Sequence, residues 1–435
     1  MTSDGAPRRL ARAPRRETPD AARTGSRRSS PAGPPDRADS GIRPGPVVDG
    51  VPTSIQVLRD GAGLERHRAA WEALAARSLE ANAFYEPWLL LPALRHLRPA
   101  SGVEVVLVFL HPEGEEPRLC ALLPVVRRTR YRGLPVEVLA PWKHVHCFLC
   151  TPLVDREHAA AGLAGLLEFA DGERASLLEL SETGAGGPFE EALRRVAAGE
   201  PRPLRATESH ARALFRPRAD AAAHLREAQP RRRRRKEIHR LRRRLGEEGV
   251  VEVAALSAED DPEAWVRDFL DVEAAGWKGR AGTAIGTRPA EREFLLAAAR
   301  EAARAGRLML LALRLDGRPI AMKLNFMAST ATSRGGFAFK IAHDEAFARF
   351  SPGVLLEHEH VAHLHALGLD WMDSCAVADH PMIGRLWPDR RGIATFLVAA
   401  GLRGRWVVRA HPLLRRLRRG TCGSGPPAAA SGGPG

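Results

Sequence analysis

Residues 1 to about 52 show no apolar period, and the pattern begins with 54–58, Ser-Ile-Gln-Val-Leu, a short strand by its alternation. Trp71 and Leu74 sit on the apolar side of a helix predicted over 64–79, and a second helix is predicted over 86–97 after the loop Asn82-Ala-Phe-Tyr85. Apolar runs at 103–110 and 118–126, parted by His111-Pro-Glu-Gly, predict strand, turn and strand. Helices over 159–170 and 188–198 flank a strand at 176–180. The second half repeats the theme. A basic helix over 219–245 carries Ile238, Leu241 and Leu245 on one face, followed by a strand at 249–256 and helices over 262–276 and 290–305. Asp316-Gly317 suits the tight turn of a hairpin joining 307–315 to 320–327. A strand over 332–340, a helix over 354–367 closed by Gly368, and a strand over 369–373 complete the unit.

Two α/β units of similar size predict a pseudo-repeat, with domains over 53–216 and 217–400 between tails at 1–52 and 401–435. The tails are rich in Pro, Arg, Gly, Ala and Ser, a composition that favours disorder. A chain of 435 residues with 44% hydrophobic content has room for two cores. Its net charge of +14 is concentrated. Residues 1–52, 231–244 and 402–435 together carry more positive charge than the whole chain, which leaves the remainder mildly acidic. That distribution is not the footprint of a broadly basic nucleic-acid surface. Five cysteines are too few for a disulfide framework, which points to a reducing cytoplasm. No apolar run reaches the length of a membrane span. Lysine is rare beside arginine, and two of the five, Lys278 and Lys340, fall in the motifs below.

Ser351-Pro-Gly353 opens the helix over 354–367 in a way that suits an anion, because Pro occupies a first-turn position and Gly admits a ligand to the backbone. A plain helix cap explains the same three residues. Lys340 and Asp344 stand at a strand end and loop just ahead, where an acid can take a proton from an amine or simply form a surface ion pair. Trp277-Lys278-Gly279 joins a helix to a loop; Trp277 suits a core edge or a substrate, and Lys278 an anionic one. Asp373 ends a strand, where it can orient an amine or cap a turn. His358, His360, His363 and His365 crowd one helix, but the position four after His358 is Ala362, so the zinc-protease register fails. His144-Val-His-Cys-Phe-Leu-Cys150 lacks a second ligand pair, and no metal is assigned. The basic run containing Arg234 and Lys236 is either a solvated face or a surface for phosphates, an acidic acceptor or anionic lipid.

The order Trp277-Lys-Gly, Asp316-Gly-x-x-Ile-Ala, Ser351-Pro-Gly and Gly368-x-x-x-x-Asp373 resembles the BioF-like and CelD-type acyltransferases of the GNAT superfamily over about 220–370, and more distantly the Fem-type aminoacyltransferases. The resemblance implies two tandem GNAT-like domains of mixed α/β architecture. It implies transfer of an acyl group from acyl-CoA, such as acetyl-CoA, to an amine of a small molecule, glycan or amino-acid derivative, in envelope or polysaccharide synthesis, with no metal. Asp344, Asp373 and Lys340 then handle the reaction, Ser351, Gly353, Arg234 and Lys236 hold the coenzyme, and Trp277 and Lys278 meet the acceptor. The glycine-rich pyrophosphate loop of single-domain GNAT enzymes is absent. Two other readings stand beside this one: an enzyme drawing on aminoacyl-tRNA, the one case in which nucleic acid is a partner, and a non-catalytic binding module.

Overall fold

The computed structural model describes residues 41–421, with side chains described as far as His411. The first half contributes β1 (Arg43–Val48), β2 (Val51–Leu58), β3 (Glu104–Leu110), β4 (Arg118–Arg128), β5 (Val138–Pro141), β6 (Leu153–Val154), β7 (Leu177–Ala185) and β8 (Leu204–Phe215). The second half contributes β9 (Val251–Ala255), β10 (Leu308–Leu315), β11 (Arg318–Thr330), β12 (Ser333–His343), β13 (Trp371–Asp373) and β14 (Asp389–Ala399). All belong to one mixed sheet in the order β1-β2-β3-β4-β5-β7-β14-β8-β13-β12-β11-β10-β9, with β6 on β4.

The pseudo-repeat is visible in the pairing. β2 to β5 are antiparallel, and the helix Ala159–Gly172 leads the chain to β7, parallel to β5. β9 to β12 are antiparallel in the same way, and the helix Pro352–Ala366 leads to β13, parallel to β12. A parallel neighbour needs such a crossover, so each half places one helix beside one parallel step.

The structure moves four expected boundaries. Residues 43–48 form β1, paired to β2 through the turn Asp49-Gly50, so order begins before residue 52; residues 1–40 lie outside the described residues. β14, expected to fall in the second domain, lies between β7 and β8 of the first half, and the last residues of β8 pair with β13. A cut at 216 therefore does not part the sheet. The basic segment is two helices, Ala221–Ala228 and Arg232–Gly246, because Pro230 cannot continue the first and biases Gln229 away from helix. Residues 401–421 are helical, and 422–435 lie outside the described residues. Among the described residues no helix is long and apolar enough to cross a membrane.

Aromatic side chains weld the halves. Phe84 meets Phe337 edge-on at 5.2 Å between centroids, and Trp88 meets Phe326 at 5.4 Å. Each such buried side chain stabilises by roughly 1.5–3 kcal/mol. On the opposite side of the sheet the helix Pro352–Ala366 is fixed to β11 by an ion pair between buried Lys323 and Glu357. Burial works to raise the Glu357 pKa, but the Lys323 charge and a bond to His360 hold it down at about 2. His360 is also 3.4 Å from Asn325, so the most buried histidine of this helix is engaged within the core.

The tightest polar knot lies where the halves meet. The Asp373 carboxylate on β13 accepts from Arg212 of β8 at 2.7 Å, from Arg391 of β14 at 3.1 Å and from the Cys375 N–H at 2.9 Å. Burial favours its neutral form, yet the two guanidiniums prevail and its pKa is depressed. That contribution to stability is complete above the ordinary carboxylate value and is lost as pH falls through the depressed native one. Asp373→Asn should therefore cost about 3–5 kcal/mol at neutral pH by leaving the buried Arg212 and the half-buried Arg391 underpaired. Urea unfolding of variant and wild type checks this, and equal midpoints at neutral pH would rule out the pin.

Candidate active site

β12 and β13 stay together for only three residue pairs, Gly335 to Phe337 against Trp371 to Asp373. β12 then runs on to His343 with β11 on one side and no strand on the other, so 338–343 present an unpaired backbone edge. At the parting point the register against β11 slips by one residue at Phe339, a bulge that turns the strand. Both flanks of this fork carry left-handed residues other than glycine, Ser351 at φ 51° and Cys375 at φ 53°. Such conformations cost about 1–3 kcal/mol each and gather at functional sites.

The helix Pro352–Ala366 opens on the same side of the fork. Pro352 has no N–H, and the N–H groups of Val354 and Leu355 are taken up by the Ser351 carbonyl at 2.9 and 3.1 Å. The Gly353 N–H has no partner among the described residues. The Ser351 side chain makes no capping bond, contrary to the plain-cap reading. Gly353 is buried, and a Cβ built on it would meet His343 Nδ1 at 3.6 Å and Ile341 Cδ1 at 3.8 Å, both ordinary contact distances.

Lys340 follows the bulge directly. Its Nζ lies 5.5 Å from the Phe148 ring and 5.8 Å from the Phe339 ring, with no carboxylate at ion-pair distance among the described residues. Burial, and then the Lys278 charge, push its pKa below the usual lysine range. Phe148 comes from the first half, on the loop between β5 and β6, whose carbonyl accepts from Arg212 at 2.7 Å. The same loop brings His146, 2.8 Å from Glu291 at the start of the helix Pro289–Arg304. Neither His146 nor Glu291 was picked out as a site residue by sequence reasoning. In the sequence His144 and His146 suggest only metal ligands, and nothing local links residues 145 positions apart.

The other predicted residues scatter around this centre. Lys278 binds Glu273 at 2.9 Å, and the second Glu273 oxygen accepts from the Ile285 N–H at 2.8 Å. Trp277 is 52% exposed and plugs no core. Both border a small cleft with Gly276, Ile341, Ala342 and His343, on the approach to β12. Gly279 is required because a Cβ there would run into the Ala274 carbonyl. Asp344 caps the turn Glu345–Phe350 through the Ala346 N–H at 2.9 Å and pairs with Arg318, so both oxygens are engaged. Asp373 is the pin described above, shut away from solvent. Arg234 and Lys236 are exposed on the basic helix, which packs through Leu241 and Leu245. The structure thus groups Lys340, Lys278, Trp277, Ser351 and Gly353 about the fork, and gives Asp344 and Asp373 structural bonds.

Residues 232–380 match the family model of the acetyltransferase (GNAT) domain. The fork, the bulge and the helix opening all lie within that span. Among solved structures, FemX is similar at 10% identity, covering 80% of this chain and 98% of that one at a TM-score of 0.49. A conserved protein of unknown function from Bacteroides thetaiotaomicron is similar at 12% identity, with 77% and 97% covered and a TM-score of 0.47. A tandem GNAT protein from the clavulanic acid biosynthesis pathway is similar at 16% identity, with 80% and 99% covered and a TM-score of 0.40. No curated protein matches the chain.

Because Lys278 compensates a carboxylate that is nearly inaccessible, Lys278→Met should destabilise the fold by about 1–3 kcal/mol by leaving Glu273 half-satisfied. Denaturant unfolding measures it; an unchanged midpoint would mean that the lysine is free for a ligand alone.

Proposed function

We propose that this chain is an acyltransferase that moves an acyl group from an acyl-CoA thioester, acetyl-CoA in the simplest case, to an amine, in the manner of the BioF-like and CelD-type enzymes. The observation that carries the reading is the fork: an unpaired strand edge begins at a bulge and faces a helix start with a free N–H. An extended pantetheine arm has the shape and hydrogen-bonding pattern of a strand, so it can pair with the edge that β13 leaves vacant. The unpartnered N–H of Gly353 and the positive end of the helix suit a phosphate oxygen. Backbone donors fixed along β12 are placed to stabilise the negative charge that develops on the thioester oxygen.

The acceptor enters over the cleft bordered by Trp277 and Lys278. Its amine attacks the thioester carbon, the carbon–sulfur bond breaks, and the coenzyme leaves as a thiol. Lys340, partly stripped of water, lies beside the reacting carbonyl in this arrangement. The first half offers no equivalent donor site. The space beyond β5 is filled by the chain itself, with Cys150 bonded to the Glu182 carbonyl at 2.8 Å and Thr151 to the Gly184 N–H at 2.9 Å.

Calorimetry with acetyl-CoA tests the reading. Wild type should bind, and Gly353→Ala should fold normally, since its added methyl meets only atoms at ordinary distance, yet bind about tenfold more weakly, ~1.4 kcal/mol. No binding by wild type would end the proposal. One observation keeps the aminoacyl-tRNA alternative in play: Arg232, Arg233, Lys236 and Arg240 line one open face of the basic helix. Under that alternative, changing these four to Gln should flatten the salt dependence of tRNA binding. A wild type that ignores tRNA while binding acetyl-CoA excludes it.

A further inference from the structure

His146 is 2% exposed, although its neighbour Val145 is 58% exposed at the tip of the loop. Its Nε2 is 2.8 Å from Glu291 Oε2, and the other Glu291 oxygen accepts from Arg288 at 2.8 Å. The imidazole is stacked on Phe294, one helical turn beyond Glu291, at 5.5 Å and an interplanar angle of 2°. It also lies 5.8 Å from the ring of Phe339, the residue that forms the bulge at the fork. Its remaining nitrogen, Nδ1, is buried and without a hydrogen-bond partner. A buried polar atom without a partner costs about 1–3 kcal/mol, so its retention at the fork asks for a reason.

We propose that His146 is the general base of the acyl transfer and that Glu291 is its positioning residue, so that the first half of the chain supplies the proton acceptor for a donor site built by the second. The inference rests on the acyl-transfer reading above. The carboxylate of Glu291 takes the Nε2 proton as a hydrogen bond, which fixes the tautomer and leaves the Nδ1 lone pair free. As the acceptor nitrogen bonds to the thioester carbon, its proton passes to Nδ1. As the carbon–sulfur bond breaks, the electron pair goes to sulfur, and the same proton is returned to give the free thiol. Nitrogen gains the acyl group, sulfur gains the proton, and no other reactant is needed.

The charged groups that face His146 are Lys340 from β12, Glu291 from the helix Pro289–Arg304, Glu273 from the helix Pro262–Ala275 and His144 from its own loop. Burial, and then the Lys340 charge, bring the His146 pKa down to about 4, against the opposing pull of the two carboxylates. The ring is therefore neutral at neutral pH, with the Nδ1 lone pair unprotonated. The environment also gives signed expectations. Removing Glu291 deletes a group that raises this pKa, and removing Lys340 deletes one that lowers it.

The test uses the full chain, acetyl-CoA and a panel of primary amines that includes amino sugars and amino acids, with thiol release followed across pH. His146→Gln should lower turnover by about 10²–10⁴-fold while acetyl-CoA binding by calorimetry is unchanged. Glu291→Gln should move the acid limb of kcat/KM to lower pH, and Lys340→Met should move it to higher pH. A purely structural histidine would not shift the limb in two opposite directions. If His146→Gln fails to fold, the two limb shifts decide, together with nitrogen-15 NMR of wild type, where His146 should carry its proton on Nε2. Full turnover in His146→Gln, an unmoved limb in both other variants, or a proton on Nδ1 overturns the proposal and leaves the acyl-transfer reading standing. A wild type that does not bind acetyl-CoA, or binds it and releases no thiol with any amine, overturns that reading and this proposal together.

Discussion

Where two parallel strands part decides everything at this site, and the Asp373 carboxylate decides where they part. Held by Arg212 and Arg391 and by the Cys375 N–H, Asp373 ends β13 and turns the chain away through a left-handed residue. β12 has no such anchor and continues for six residues, which leaves that edge of its backbone without a strand partner. Unpaired backbone edges are costly when buried and invite pairing when accessible. The same cluster ties β8 and β14 to β13, so the feature that opens the fork also joins the halves of the molecule.

The two halves share a topology but have diverged in what they do with it. In the first half the helix Ala159–Gly172 lies so close to the sheet that a Cβ on Gly162 would come within 2.7 Å of the Cys120 carbonyl, and one on Gly165 within 2.5 Å of Val108. Its own loop occupies the corresponding gap. That loop then reaches across to the second half and supplies Phe148 and His146 beside Lys340. One copy of the repeat has closed its fork with chain, and the closing segment furnishes one wall of the other fork. This accounts for a sheet that cannot be cut between the halves without exposing both.

Much of the frame is legible in the sequence because it is local. The Asp316-Gly317 turn takes the two left-handed conformations that its residue types favour, and the hairpin around it forms as the alternation predicts. Ser351-Pro-Gly353 is found at a helix start beside the fork for the same reason, whereas Trp277-Lys-Gly279, expected to lead from a helix into a loop, opens a short helix of its own. What the sequence hides is long-range. β14 reads as an ordinary strand, and nothing near it says that its partners lie some two hundred residues earlier. Asp344 and Asp373 look alike as acids at strand ends, yet partners from β11, β8 and β14 engage both. His146 shows the reverse: a residue set aside for want of metal partners gains its chemistry from a glutamate in the other half.

The balance of charge around the fork bears on which acceptor form reacts. Lys278 is compensated by Glu273, and Glu291 by Arg288 and His146. Lys340 alone among these stands without a carboxylate at bonding distance, above aromatic faces that stabilise a cation only in part. A second positive charge brought beside it is disfavoured by repulsion, and more so as the cleft loses water. An amine arriving as ammonium therefore meets pressure to shed its proton, whereas the neutral amine does not. The neutral amine is also the form with a lone pair for the thioester carbon. On the acyl-transfer reading proposed above, Lys340 would act on the acceptor's protonation before the reaction, and His146 during it. The rarity of lysine in so arginine-rich a chain fits that use, since a guanidinium at this position would stay charged and would spread its donors over a wider area than one ammonium does.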